Sequence, residues 1–154
     1  MKDIIVFDLD GTLRDGTHRV HLVPKERLDR TESWDAYNRA CGKDAPIEDN
    51  LALMAALGKR FRIVVLSSCC DVAKQATEMW FSSEGRPWPD DLIMRSADDH
   101  RPDTEFKEAM LRKIGLERIL CCYEDNFRVA CHLRSLGLTC HVVRHYDSPG
   151  EHEK

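Results

Sequence analysis

The sequence predicts an α/β domain: a Rossmann-like parallel sheet of about five strands with helices on both faces. Three observations carry that expectation. Short apolar runs recur at Ile4–Phe7, Phe61–Leu66, Asp91–Arg95, Ile119–Tyr123 and Thr139–Val143, with helical stretches between them. The runs are short and bounded by turn residues, as buried strands are. Three of them end in acids or hydroxyls, namely Asp8 with Asp10, Ser67 with Ser68, and Glu124 with Asp125. Open parallel sheets bind their ligands at such carboxyl ends.

Composition narrows the class. A chain of 154 residues fits one domain with a real core. The expected layout is a single domain over 1–146, a small cap or lid insertion over about 14–45, and a polar tail over 147–154. No apolar run approaches membrane-spanning length, so no membrane contact is expected. A net charge of −4 offers no field for a long nucleic acid and leaves a strand end or a single nucleotide as partner. Seven cysteines, with Cys69-Cys70 and Cys121-Cys122 adjacent and no C-x-x-C, suggest reduced thiols in a cytoplasm. Cys121, Cys122, Cys131 and Cys140 read as small core residues.

Ile4 to Phe7 should lie mid-sheet and deliver Asp8 and Asp10 to a crevice. Two acids this close repel unless a shared proton or a cation compensates, and Mg²⁺ is the ready cation. Arg14 to Arg30 is polar without periodicity and reads mostly as solvated loop, although Arg14, His18, Arg19 and His21 follow the acidic strand end. Ser33 looks like the N-cap of a helix over Trp34–Cys41, with Gly42 as its stop. Trp34 and Tyr37 share one face of that helix, either for packing or for stacking a base.

A helix opened by Pro46 and ending near Gly58 presents Leu51, Met54, Ala55 and Leu57. The second strand ends in Ser67, whose hydroxyl suits a phosphoryl oxygen or the cap of a helix over about Val72–Phe81. A short strand at Asp91–Arg95 leads to a helix start where Asp103 and Lys107 stand four apart. They form either a surface ion pair or an ammonium aimed at phosphate. The fourth strand ends at Glu124 and Asp125, a helix over Phe127–Leu136 follows, and a last strand runs to Val143. Right-handed crossovers place the first strand centrally, between the second and the fourth. Asp8, Asp10, Ser67, Lys107, Glu124 and Asp125 then share one edge.

The block Asp8-Leu9-Asp10-Gly11-Thr12 resembles the signature of the haloacid-dehalogenase (HAD) superfamily of phosphatases. From Asp3 to about Val143, order and spacing resemble the phosphatase domain of bacteriophage-type polynucleotide kinase. The resemblance implies a HAD-type fold with a minimal cap. It implies Asp8 as nucleophile, Asp10 as general acid/base and Lys107 as the third-motif lysine, with Asp103 its companion. Mg²⁺ would be held by Asp8, the Asp10 backbone carbonyl, Glu124 and Asp125. Thr12, Ser67 and Ser68 stand as phosphate-binding hydroxyls, and Arg19 falls at a substrate-site arginine. Two motifs differ from the family pattern, Ser67-Ser68-Cys69 replacing Ser/Thr-Gly-Arg and Glu124-Asp125-Asn126 replacing Asp-Asp-Arg. Both changes delete a guanidinium suited to phosphate, which leaves the preference for polynucleotide ends open.

No G-x-x-x-x-G-K-[ST] motif occurs, so the expectation is a stand-alone phosphatase or a phosphatase relic. Cys69 and Cys70 beside the site lack the trailing arginine of a cysteine phosphatase. The expected activity is a Mg²⁺-dependent phosphomonoesterase on nucleotide or nucleic-acid phosphate, with a terminal 3′-phosphate as first guess. A free nucleoside-monophosphate phosphatase and a non-catalytic binding module are the alternatives. The expected location is cytoplasmic, in a host's cytoplasm if the chain is phage-encoded.

Overall fold

β1 (Ile4–Phe7) sits at the centre of the main sheet because all four of its residues are apolar and buried. The computed structural model describes residues 1–83 and 85–143; the expected tail from Asp147 lies outside them. The chain leaves β1 through β2 (Arg14–Asp15), 3₁₀ turns at Thr17–Leu22 and Thr31–Trp34, and α1 (Asp35–Arg39). A further 3₁₀ turn at Ala40–Lys43 brings it to β3 (Ala45–Pro46), which pairs antiparallel with β2. This two-stranded clasp ties the two ends of the excursion together. Sequence patterning did not anticipate it, since two-residue strands carry no periodicity.

The rest alternates as expected: α2 (Glu48–Leu57), β4 (Arg62–Cys70), α3 (Lys74–Ser82), β5 (Asp91–Arg95), α4 (Asp103–Ile114), β6 (Ile119–Glu124), α5 (Phe127–Ser135) and β7 (Cys140–Val142). The five main strands are ordered β5-β4-β1-β6-β7 and all pair parallel. That is the order the crossover rule anticipates, with the first strand between the second and fourth apolar runs.

Alternate residues of β1 serve opposite faces, as the strand period of two requires. Ile4 and Val6 pack with Phe106 and Leu111 of α4 and Val129 and Leu133 of α5. Ile5 and Phe7 pack with Leu51 and Met54 of α2 and Trp80 and Phe81 of α3. Asp8 continues the first series, which faces α4 and therefore Lys107.

Several local expectations change. Ser33 is not an N-cap; it lies inside a 3₁₀ turn, and α1 begins at Asp35 without a side-chain cap. β4 runs four residues past Leu66, with a register shift between Ser67 and Cys70. Cys121, Cys122 and Cys140 are buried as expected, but Cys131 is exposed. It stands between the core positions Ala130 and Leu133 of α5, on the helix's outer face. Among the described residues, no helix is long and apolar enough to cross a membrane.

Candidate active site

The strand ends converge as the topology requires. Lys107, reaching from the second turn of α4, donates to Asp8 Oδ1 at 2.7 Å and to Glu124 Oε2 at 2.6 Å. The expected pair with Asp103 does not form. Asp103 is half-exposed and accepts instead from Arg95 Nη2 at 2.7 Å. The ammonium of Lys107 is buried, and two buried carboxylates attract it far more strongly than one solvated acid would. Burial alone would lower its pKa, but Asp8 and Glu124 outweigh that and hold it well above the usual lysine range.

Asp8, Glu124 and Asp125 each offer one carboxylate oxygen, and these atoms lie within 4.8 Å of one another. Lys107 pairs with two of these acids, Asp8 and Glu124. An all-oxygen donor set of this kind suits Mg²⁺. Burial, reinforced by the neighbouring Glu124, pushes Asp8 up to about 7 against the pull of Lys107. A buried carboxylate beside a second acid behaves this way.

Gly11 completes the cradle. Its φ of +81° is in the region that favours glycine, and a Cβ there would collide with the Asp125 carboxylate. The residue after Asp10 is therefore glycine for two separate reasons, backbone conformation and the approach of an acid 114 positions away in sequence. These observations fit a Mg²⁺ site held by Asp8, Glu124 and Asp125. The Asp10 side chain lies outside that cluster.

The Asp10 carboxylate is held elsewhere. Its Oδ1 accepts from Arg14 Nε at 2.7 Å and from Arg19 Nη2 at 2.8 Å. Burial works to raise its pKa, but the two guanidiniums prevail and hold it near 2. Both arginines are fully buried. Arg19 also binds Asp44 through Nε at 2.8 Å and Nη2 at 2.6 Å, donates to the Tyr37 carbonyl, and lies 4.0 Å over the Tyr37 ring. Arg14 reaches Asp44 at 3.3 Å and the Thr77 hydroxyl at 3.0 Å. Its Nη2 lies 3.9 Å from Cys69 Sγ.

Arg14, read from sequence as solvated loop, is thus a central buried cation, and Asp44 was not singled out at all. Arg19 is where expected in the chain, but its guanidinium is engaged by Asp10 and Asp44. Trp34 packs edge-on against Tyr37 at 6.0 Å and donates to the Leu28 carbonyl at 3.1 Å. Tyr37 is buried, so this pair serves packing.

The hydroxyls flank the acids. Thr12 Oγ1 donates to Asp8 Oδ2 at 3.3 Å. Ser67 Oγ accepts from the Cys69 backbone at 3.1 Å, which leaves its proton available to another acceptor. Ser68 Oγ is buried and, among the described residues, has no hydrogen-bond partner. Such a hydroxyl is costly unless something completes it. Arg95 Nε supports this irregular end of β4 by donating to the Ser68 carbonyl at 3.1 Å, a link with no signal in the sequence.

Burial pushes the Cys69 thiol well above its usual range, which keeps it protonated and unsuited to nucleophilic attack. Asn126 caps α5 by accepting from the backbone of Arg128 and Val129 at 3.0 and 3.2 Å.

Known structures share this architecture. A chain of a Pnkp1/Rnl/Hen1 complex superposes with a TM-score of 0.75 at 20% identity, over 95% of this chain and 47% of that one. The present chain therefore spans about half of that partner's length. A HAD family enzyme from Bacteroides thetaiotaomicron, crystallised with magnesium and inorganic phosphate, matches over the full length of both chains, with a TM-score of 0.60 at 13% identity. The L-2-haloacid dehalogenase PA0810 gives 0.61 at 19% identity, over 94% of this chain and 85% of that one. At these identities the likeness concerns the fold. No curated protein sequence matches significantly. The family description "Polynucleotide kinase PNKP phosphatase domain" fits residues 2–147, nearly the whole chain. The chain belongs to this family of polynucleotide kinase phosphatase domains, and so to the HAD-type phosphatases.

Proposed function

We propose that this domain is a Mg²⁺-dependent phosphomonoesterase that removes a terminal 3′-phosphate from nucleic acid through an aspartyl-phosphate on Asp8. The observation that carries the reading is the Asp8–Lys107–Glu124 contact set, with Asp125 against Gly11, at the strand ends of a HAD fold. The family supplies the substrate class.

Asp8 attacks phosphorus in line, and the bond to the leaving sugar oxygen breaks. This divides one difficult displacement into two easier ones. Lys107 fixes the attacking carboxylate through Oδ1, while Thr12 holds Oδ2. Ser67 and Ser68 donate to non-bridging phosphoryl oxygens, which gives the partnerless Ser68 hydroxyl its acceptor. Asp10 protonates the departing oxygen and then accepts a proton from the water that opens the acyl phosphate.

Near pKa 2 the resting Asp10 is a base, so the acid role needs the negative charge of bound phosphate to raise it. Asp8, Glu124, Asp125 and the Asp10 backbone carbonyl would hold the metal. Bound Mg²⁺ would offset the repulsion between the Asp8 carboxylate and the incoming phosphate.

The test is phosphate release, with and without Mg²⁺, from a 3′-phosphorylated oligonucleotide beside 3′- and 5′-nucleoside monophosphates. Faster turnover of the oligonucleotide is expected, with Asp8→Asn inactive. Wild-type rates in Asp8→Asn would sink the mechanism. Preference for monophosphates would move the assignment to a nucleotidase, as the two absent family arginines would allow.

A further inference from the structure

The excursion between β1 and α2 carries a cavity of about 410 Å³ outside the acid cluster, a size suited to a nucleotide unit. His18, His21, Arg39 and Lys43 line it, with Leu22 and Ala40 between them and no acidic side chain in its wall. All four basic residues are exposed. The protein as a whole carries −4, so this positive lining is a local feature and does not reflect the general charge.

The basic groups there are arranged unlike most exposed arginines of the molecule. Arg27, Arg30, Arg62, Arg101, Arg112 and Arg118 each have a carboxylate within 4 Å. Arg39 and Lys43 have no carboxylate partner among the described residues. Unneutralised cations around a concavity draw an anion from solution.

The cavity also adjoins the proposed chemistry. Arg19 contributes to its wall and reaches Asp10 Oδ1 at 2.8 Å. His18 Nε2 lies 2.8 Å from Asp44, which holds the same arginine.

We propose that this cavity is a subsite for an internal phosphodiester of a nucleic-acid strand whose 3′ end occupies the acid cluster. The inference rests on the nucleic-acid reading given above. Arg39 and Lys43 contact the strand's phosphate, His18 and His21 flank it, and Leu22 and Ala40 offer an apolar surface to the attached sugar or base. The contact reads charge and strand continuity and carries no base specificity.

A fluorescent single-stranded oligonucleotide ending in a 3′-hydroxyl tests this, because without a terminal phosphate it cannot depend on the acid cluster. Its affinity is measured by anisotropy at several KCl concentrations. The double variant R39A/K43A is expected to bind roughly 10-fold more weakly. Its salt slope should be shallower by roughly 1.4, from about 0.7 per lost contact on a single strand. Lys59→Ala, an exposed cation outside the cavity, serves as the control and should bind like wild type.

Wild-type affinity and slope in R39A/K43A would overturn the subsite, as would failure of wild type to bind the oligonucleotide. Displacement of the strand by sub-millimolar inorganic phosphate or mononucleotide would assign the cavity to a small phosphate and overturn the strand reading. A protein that binds the strand through these residues yet releases no phosphate from its 3′-phosphorylated form would fail the proposed activity and leave the subsite standing.

Discussion

Asp8 and Asp10 stand two residues apart at the end of one strand, yet their surroundings push them in opposite directions. Asp8 faces α4, where Glu124 and burial raise it to about 7 and one lysine opposes them. Asp10 turns toward the excursion, where two buried guanidiniums outweigh burial and hold it near 2. The first region is a set of crowded buried acids whose oxygens lie within 4.8 Å of one another. The second is a closed network in which Asp10, Arg14, Arg19 and Asp44 satisfy one another. Identical side chains thereby hold their protons with different strength, because environment and not residue type sets their proton affinity.

The contrast predicts that the two regions answer differently to charge removal. Asp44→Asn leaves Arg14 and Arg19 buried with Asp10 as their remaining carboxylate. Breaking such a network costs about 3–5 kcal/mol, read from urea unfolding. Asp8→Asn removes one of several crowded acids, so without Mg²⁺ it is expected to leave stability unchanged at low pH and to raise it toward neutral pH, while abolishing turnover. Equal losses in the two variants would break the comparison.

A second change acts on the metal side alone. Gly11→Ala puts a methyl group into the space of the Asp125 carboxylate and forces an unfavourable φ. Mg²⁺ affinity measured by calorimetry should fall roughly 10–100-fold, as for other changes that displace a ligating group. Unchanged affinity would show that Asp125 does not hold the metal.

The subtlest effect is the pH dependence of stability in the absence of Mg²⁺. Asp8 is raised from 3.8 to about 7, so as pH climbs through that window the unfolded chain releases a proton that the folded chain keeps. Its contribution is therefore present at low pH and lost toward pH 7. Asp10 is lowered from 3.8 to about 2, so its contribution is present above 3.8 and lost as pH falls toward 2. Thermal melts across pH 4–7 should show Asp8→Asn with a flatter decline than wild type. A parallel decline would mean that Asp8 already holds its charge.

Much of the fold was legible because local patterning and one chirality rule suffice for it. Apolar runs such as Ile63–Leu66 mark strands, β1 alternates between two helical layers, and crossover handedness orders the sheet. The acid pairs and Ser67 could be found for the same reason, since a residue at a buried strand's end has only one place to go. Lys107 was found with the wrong partner. Its spacing from Asp103 is a helical one, while the attraction it obeys comes from acids on two other strands.

The sequence by itself determined the α/β alternation and which acids and hydroxyls stand at the strand ends. Only the tertiary structure decided that Arg14 is buried, that Asp44 joins it to Arg19, and that Arg95 supports the end of β4 at Ser68. Periodicity reports what a segment does with solvent. An ion pair between residues 14 and 44 depends on the β2–β3 clasp that closes the excursion, and no local pattern encodes a contact of that range.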